Sequence, residues 1–184
     1  GAFGTEIKDV LTDAEAVNTQ TGEVRLFTNA ECKFAYRDSF FKKNPEWLVL
    51  SARFSLAHGE PEECVRKARG ILAERNNRQI QDIRSAGSFF MNPIATKAIQ
   101  KMFEDEKGEP AKGGRVPAGW LIDKAGFKGV CRGEVCTGAR SSNYFINNGN
   151  AKAADVLSLA GEIKATVLQK FGVELKEEVT LIGF

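Results

Sequence analysis

The sequence is poor in the residues that most often carry polar catalysis. It has one histidine, His58, and none near the segment that carries Ser85 and Ser88. A Ser-His-Asp hydrolase is therefore not expected. Of the four cysteines, Cys32, Cys64, Cys131 and Cys136, only the last two are close, and their spacing matches no common zinc or redox motif. No metal site is expected from so small a ligand inventory. All four cysteines are expected to be free thiols in a reducing, cytoplasmic setting. There is no GxGxxG, no Walker loop and no zinc signature. No apolar run approaches the roughly 20 residues of a membrane span, and no secretory signal is read at the start, so no membrane partner is expected. Lys and Arg number 26 against 24 Asp and Glu, a net charge of +2 without clustering. A nucleic-acid partner needs a clustered basic surface and is not expected.

What is present is an ordinary globular balance: 184 residues, 42% hydrophobic and 27% charged. That length buries a sizeable core without staples. Short strands are expected at 6–11 and 24–28, and a stronger one at 47–56, with Leu48, Leu50, Ala52, Phe54 and Leu56 on one face. A helix follows from Pro61, its apolar stripe made by Val65, Ala68, Ile71 and Leu72. Residues 76–92 read as irregular and 107–117 as a loop. Helices are expected at 95–103, 118–125 and 151–171, the last with Val156, Leu159, Ala160, Ile163, Val167 and Phe171 on one face and Gly172 as its stop. Strands are expected at 144–146 and 179–182. Strands first and a mixed region after them indicate an α+β fold, with strand content falling near 56–61.

Three segments are rich in polar groups for their apolar settings. Arg37 lies in FAYRDSFF, where a buried guanidinium needs a partner: an ion pair with Asp38 or a glutamate, or an anionic ligand. Ser88 lies in SAGSFFMNP, whose small residues let backbone approach a ligand, or simply make a turn. Glu177 and Glu178 precede the last expected strand; alternation puts them on opposite faces, and a solvated charge run is the plain reading.

Taken in order, GAFGTEI, CKFAYRDSFFK, SAGSFFMNP, AGWLIDKAGFKG, NYFINNGNAKAADV and KFGVELKEEVTLIG resemble the latter part of the UDP-N-acetylenolpyruvoylglucosamine reductase (MurB) family, over essentially the whole chain. The resemblance implies a remainder of a FAD-binding (PCMH-type) domain over residues 1–57 and a mixed α+β substrate-binding domain over 58–184. It implies FAD and NADPH as cofactors and a UDP-sugar as substrate, with reduction of an enolpyruvyl ether to UDP-N-acetylmuramate in peptidoglycan synthesis. Arg37, Ser88 and Glu178 match the family's active-site arginine, proton-donating serine and active-site glutamate. Tyr36, Arg78 and Asn92 match substrate contacts, and Gly1, Ala2 and Gly4 fall on the flavin side. Met91 stands where the family often has Lys, and Ser141 near a position where many members have His. The family's N-terminal flavin-binding subdomain has no counterpart here, so the chain is expected to act as a truncated piece with weak FAD binding and little activity alone. The competing expectation is a non-catalytic module that binds a UDP-sugar through Arg78 and Asn92.

Overall fold

The computed structural model describes residues 4–78 and 83–183. The chain divides into two compact units, 1–79 and 80–184, and each is described by itself. Helices and antiparallel sheets are mixed rather than alternating in βαβ units, which makes the fold α+β.

The first unit is a three-stranded antiparallel sheet in the order β2-β1-β3, from β1 (Leu11–Asn18), β2 (Val24–Thr28) and β3 (Trp47–Phe54). A strand was expected at 6–11. Residues Ile7–Asp9 instead form a 3-10 turn, and the strand begins where that expectation ended, at Leu11. Its sequence, LTDAEAVN, is only weakly apolar because the buried residues Ala14 and Ala16 are small. What makes it a strand is pairing on both edges, with Ala14 opposite Phe27 on one side and Ala52 on the other. Phe27 centres the core here, its ring 5.0 Å from Phe40, 5.2 Å from Phe41 and 5.0 Å from Trp47. The core is thus reached from Trp47. The side of β3 expected to be buried is open: Leu48, Leu50 and Phe54 are 57%, 53% and 50% exposed, and Leu56 beyond the strand is 75% exposed. Between β2 and β3 lies the short helix α1 (Phe40–Lys43), and after β3 comes α2 (Pro61–Arg78).

The second unit is built on α3 (Lys97–Lys107), α4 (Ala118–Ala125) and α5 (Ala153–Phe171), with a second antiparallel sheet of β4 (Cys131–Arg132), β5 (Val135–Thr137) and β6 (Phe145–Asn147) in that order. The expected stripe of α5 faces the core: Leu159, Ala160, Ile163 and Val167 are buried, with Val156 and Phe171 packed against the same cluster. Gly172 ends the helix in the left-handed region at φ +63°, its N–H donating to the Leu168 carbonyl at 2.8 Å. Phe89, Phe90 and Phe145 join this core, Phe89 and Phe145 stacking at 4.2 Å.

Two expectations fail in this unit. Residues 179–182 form no strand; the pairing of the C-terminal segment falls earlier, at Glu177, which bridges to Phe90. Cys131 and Cys136 are joined by a disulfide rather than free. The β4–β5 hairpin places them directly opposite one another, because Arg132 pairs with Val135 across a two-residue turn that starts at Gly133 with φ +56°. Cys32 and Cys64 are free thiols, the first buried and the second exposed.

Candidate active site

In the first unit, Tyr36 and Arg37 form the tip of a tight turn. The Asp38 N–H donates to the Ala35 carbonyl at 3.1 Å, and the Ala35 N–H donates to the Asp38 carbonyl at 3.0 Å. Arg37 takes φ +55°, a left-handed conformation that glycine usually fills at the third position of a type II turn. An L-residue held there stores about 1–2 kcal/mol of backbone strain. The Arg37 guanidinium lies 5.2 Å from the centre of the exposed Tyr36 ring. Asp38 is engaged elsewhere: its carboxylate pairs with Lys43 at 2.5 Å and accepts from the Ser39 N–H at 2.8 Å. The hydrogen bond from Lys43 is the main reason its carboxyl lies below the ordinary range, against a smaller opposing effect of burial. Ser39 in turn caps α1 by accepting from the Lys42 N–H.

In the second unit, the Ser88 segment runs between two neighbours and pairs with both. On one side Ser88 bridges to Tyr144, and the Phe89 N–H donates to the Asn143 carbonyl at 2.7 Å. On the other side the Glu178 N–H donates to the Phe89 carbonyl at 2.8 Å, and the Met91 N–H donates to the Lys176 carbonyl at 2.9 Å. Ser88 and Glu178 therefore sit on adjacent, hydrogen-bonded backbones although 90 residues separate them in sequence. Ser88 and Glu178 are both half-buried. Asn92 closes the same segment. Its side-chain oxygen accepts from the Ala118 N–H at 3.0 Å, at the start of α4, and its carbonyl accepts from Arg115 at 2.9 Å.

Glu177, the neighbour of Glu178, is drawn to α5 by Lys164 at 2.8 Å. Burial works against ionisation of Glu177, but the Lys164 hydrogen bond, a backbone hydrogen bond and the lysine charge outweigh it, and the carboxyl lies below its ordinary value. The pairing ties the C-terminal segment to the helix through Glu177. Alternation in the sequence gave no means of choosing between Glu177 and Glu178.

Of the flavin-side residues, Gly1 and Ala2 lie outside the described residues, while Gly4 is exposed with φ +82°. The side chain of Arg78, at the end of α2, also lies outside them. Met91 and Ser141 are half-buried. Among the described residues, no group of three or more His, Cys, Asp or Glu could hold a metal ion, and no helix is long and apolar enough to cross a membrane. Two residues went unrecognised in the sequence. Lys164 is legible only once its helix and the C-terminal segment are placed. Asn143 had a faint signal, a polar side chain set two residues before the strand that begins at Phe145.

Comparison with known proteins gives a consistent result. The family model described as UDP-N-acetylenolpyruvoylglucosamine reductase, C-terminal domain, matches residues 78–182. A UDP-N-acetylenolpyruvoylglucosamine reductase from Pseudomonas putida is 36% identical over 209 residues, covering 98% of this chain and 62% of that protein. One from Solibacter usitatus is 32% identical over 184 residues, covering 100% of this chain and 58% of that protein. Among solved structures, the UDP-N-acetylenolpyruvylglucosamine reductase (MurB) of Thermus caldophilus superposes with a TM-score of 0.71 at 27% identity, covering 95% of this chain and 55% of that one. The chain thus spans about 60% of the length of the curated relatives it matches.

Proposed function

Because the chain belongs to the UDP-N-acetylenolpyruvoylglucosamine reductase family, in the part that carries its C-terminal domain, we propose that it serves the NADPH-dependent reduction of UDP-N-acetylglucosamine enolpyruvate to UDP-N-acetylmuramate in peptidoglycan synthesis. The observation that carries this reading is the Glu178 N–H bond to the Phe89 carbonyl, which joins the segments of the proposed proton donor and the proposed acid. We place the substrate domain at 58–184 and the remainder of a flavin-binding domain at 1–57, and the reaction in the cytoplasm.

Gly4 offers an exposed backbone at positive φ with open space around it, which fits close approach of a cofactor group. Gly1, Ala2 and Gly4 would lie on the side of FAD, whose chemistry when bound is hydride transfer from NADPH to the enolpyruvyl double bond. The chain's own residues handle the charge and the proton. Hydride addition leaves a carbanion beside a carboxylate, and its charge spreads onto oxygen. Arg37, held rigidly by its turn, stabilises that charge more as it develops than in the ground state. Ser88 is a weak acid, so it protonates only a strongly basic carbon held in line with its hydroxyl; the Oγ–H bond breaks as the C–H bond forms. Glu178, paired alongside, orients the carbon or supplies the proton network. Tyr36, Arg78 and Asn92 hold the sugar nucleotide.

NADPH oxidation dependent on the enolpyruvyl sugar nucleotide tests the reading. It is measured with added FAD, on the chain alone and on the chain mixed with the N-terminal part of a relative. Ser88→Ala should lower kcat by about 10²–10⁴, the usual contribution of a general acid. Tight UDP-sugar binding with no substrate-dependent oxidation in either preparation would replace this reading with a non-catalytic sugar-nucleotide module.

A further inference from the structure

Asn143 is 6% exposed, and both ends of its amide are spent on one residue. Its Oδ1 accepts from the Phe90 N–H at 2.9 Å, and its Nδ2 donates to the Phe90 carbonyl at 2.8 Å. Its own carbonyl accepts from the Phe89 N–H. Three hydrogen bonds from a single buried residue thus fix the two residues that follow Ser88. The Phe90 side chain is fully buried and the Phe89 ring stacks on Phe145, which ties the same backbone into the packed core. Chemistry by a hydroxyl proton depends on direction. The position of the backbone just after Ser88 limits where its hydroxyl can point.

We infer that Asn143 is a positioning residue that aims the Ser88 hydroxyl by clamping the Phe89–Phe90 backbone, a role that rests on the proposed proton-donating function of Ser88. Asn143→Ala removes the clamp. Asn143→Asp keeps the shape and the acceptor but loses the donor to the Phe90 carbonyl while ionised. Burial raises the pKa of such a carboxyl, so protonation at falling pH restores a donor there.

Amide hydrogen exchange on the chain without cofactor is the first measurement. In Asn143→Ala, the Phe90 amide should exchange at least tenfold faster while Leu159 and Ile163 in α5 keep their protection. Unchanged Phe90 exchange, or equal loss everywhere, overturns the clamp. Turnover is the second measurement, with Ser88→Ala as control. For Asn143→Ala we expect kcat at least tenfold lower, KM for the sugar nucleotide within twofold, and a larger solvent deuterium isotope effect on kcat, because proton transfer becomes slower. Asn143→Asp should recover part of its kcat as pH falls. If Ser88→Ala disables turnover while Asn143→Ala leaves kcat and the isotope effect unchanged, the positioning role is wrong. If Ser88→Ala is itself harmless, the functional reading of Ser88 falls, and with it the aiming role, while the exchange result still decides whether the clamp exists.

Discussion

Arg37 combines a guanidinium suited to an anionic partner with a backbone conformation that its side chain disfavours. The two separate cleanly by mutation. Arg37→Gly and Arg37→Ala both remove the guanidinium, but only glycine relieves the turn. Glycine's extra freedom in the unfolded chain offsets part of that relief. Arg37→Gly should therefore unfold at higher denaturant than Arg37→Ala, by about 1 kcal/mol, while both lose turnover. Equal stabilities would mean that the turn does not hold this residue left-handed. The Lys164–Glu177 pair makes a different prediction. Its folded carboxyl lies below the ordinary value of 4.5, so its stabilisation is fully present above that pH and is lost as pH falls through the lower folded value. Both partners are partly exposed, which limits the effect to about 0.5–1 kcal/mol. Glu177→Gln should thus be less stable than the unaltered protein by that amount at pH 6, and the gap should close as pH falls below 4.5 and the carboxyl protonates. A gap that does not narrow with falling pH would show that packing, not charge, is what Gln disturbs.

Elements differed greatly in how much of themselves the sequence disclosed. Helix α5 was legible because one 3.6-residue stripe supplies its whole buried face and a glycine ends it. Strand β1 was not, because alanines at Ala14 and Ala16 give almost no hydrophobic signal, and its identity comes from two partners remote in sequence. The C-terminal pairing was displaced for a related reason. Val179 and Leu181 look like a strand, but the neighbouring segment bonds through Phe89 and Met91 to Glu178 and Lys176, with Phe90 opposite Glu177. The β4–β5 hairpin shows the same limit with a covalent consequence. A five-residue separation between Cys131 and Cys136 resembles no motif until the two-residue turn at Gly133 is recognised, and then the two sulfurs are opposite. Thiol titration checks it. The native, unreduced protein should show one fast thiol, Cys64, and a second, Cys32, only on unfolding. Burial and the nearby Glu31 charge push the Cys32 thiol up and keep it inert. Four thiols before any reduction would rule out the disulfide. Cys131→Ser with Cys136→Ser should cost about 2 kcal/mol, the size expected for closing so short a loop.

At the scale of the whole molecule, the two units are unequally provided with core. The second unit holds a continuous buried cluster drawn from α3, α4, α5, β5, β6 and the Ser88 segment, whereas the buried core of the first is Leu11, Ala14, Ala16, Phe27 and Cys32 with a ring of partly buried aromatics. Hydrophobic stabilisation follows buried apolar area, so the units should differ in stability. Tyr36 and Arg37 belong to the first unit, and Ser88, Asn92, Asn143 and Glu178 to the second. The family blocks in the sequence single out candidate residues but not those that hold others in place, since Asn143 and Lys164 act through contacts distant in sequence. Unfolding should then occur in two steps, with amides of β1 and β2 losing protection at lower denaturant than those of α4 and α5. Phe90→Ala places the two effects on one variant. Phe90 is fully buried, so its truncation should cost about 3–5 kcal/mol, lowering the second transition and leaving the first where it was. A single transition that shifts as a whole with Phe90→Ala would overturn the two-step unfolding.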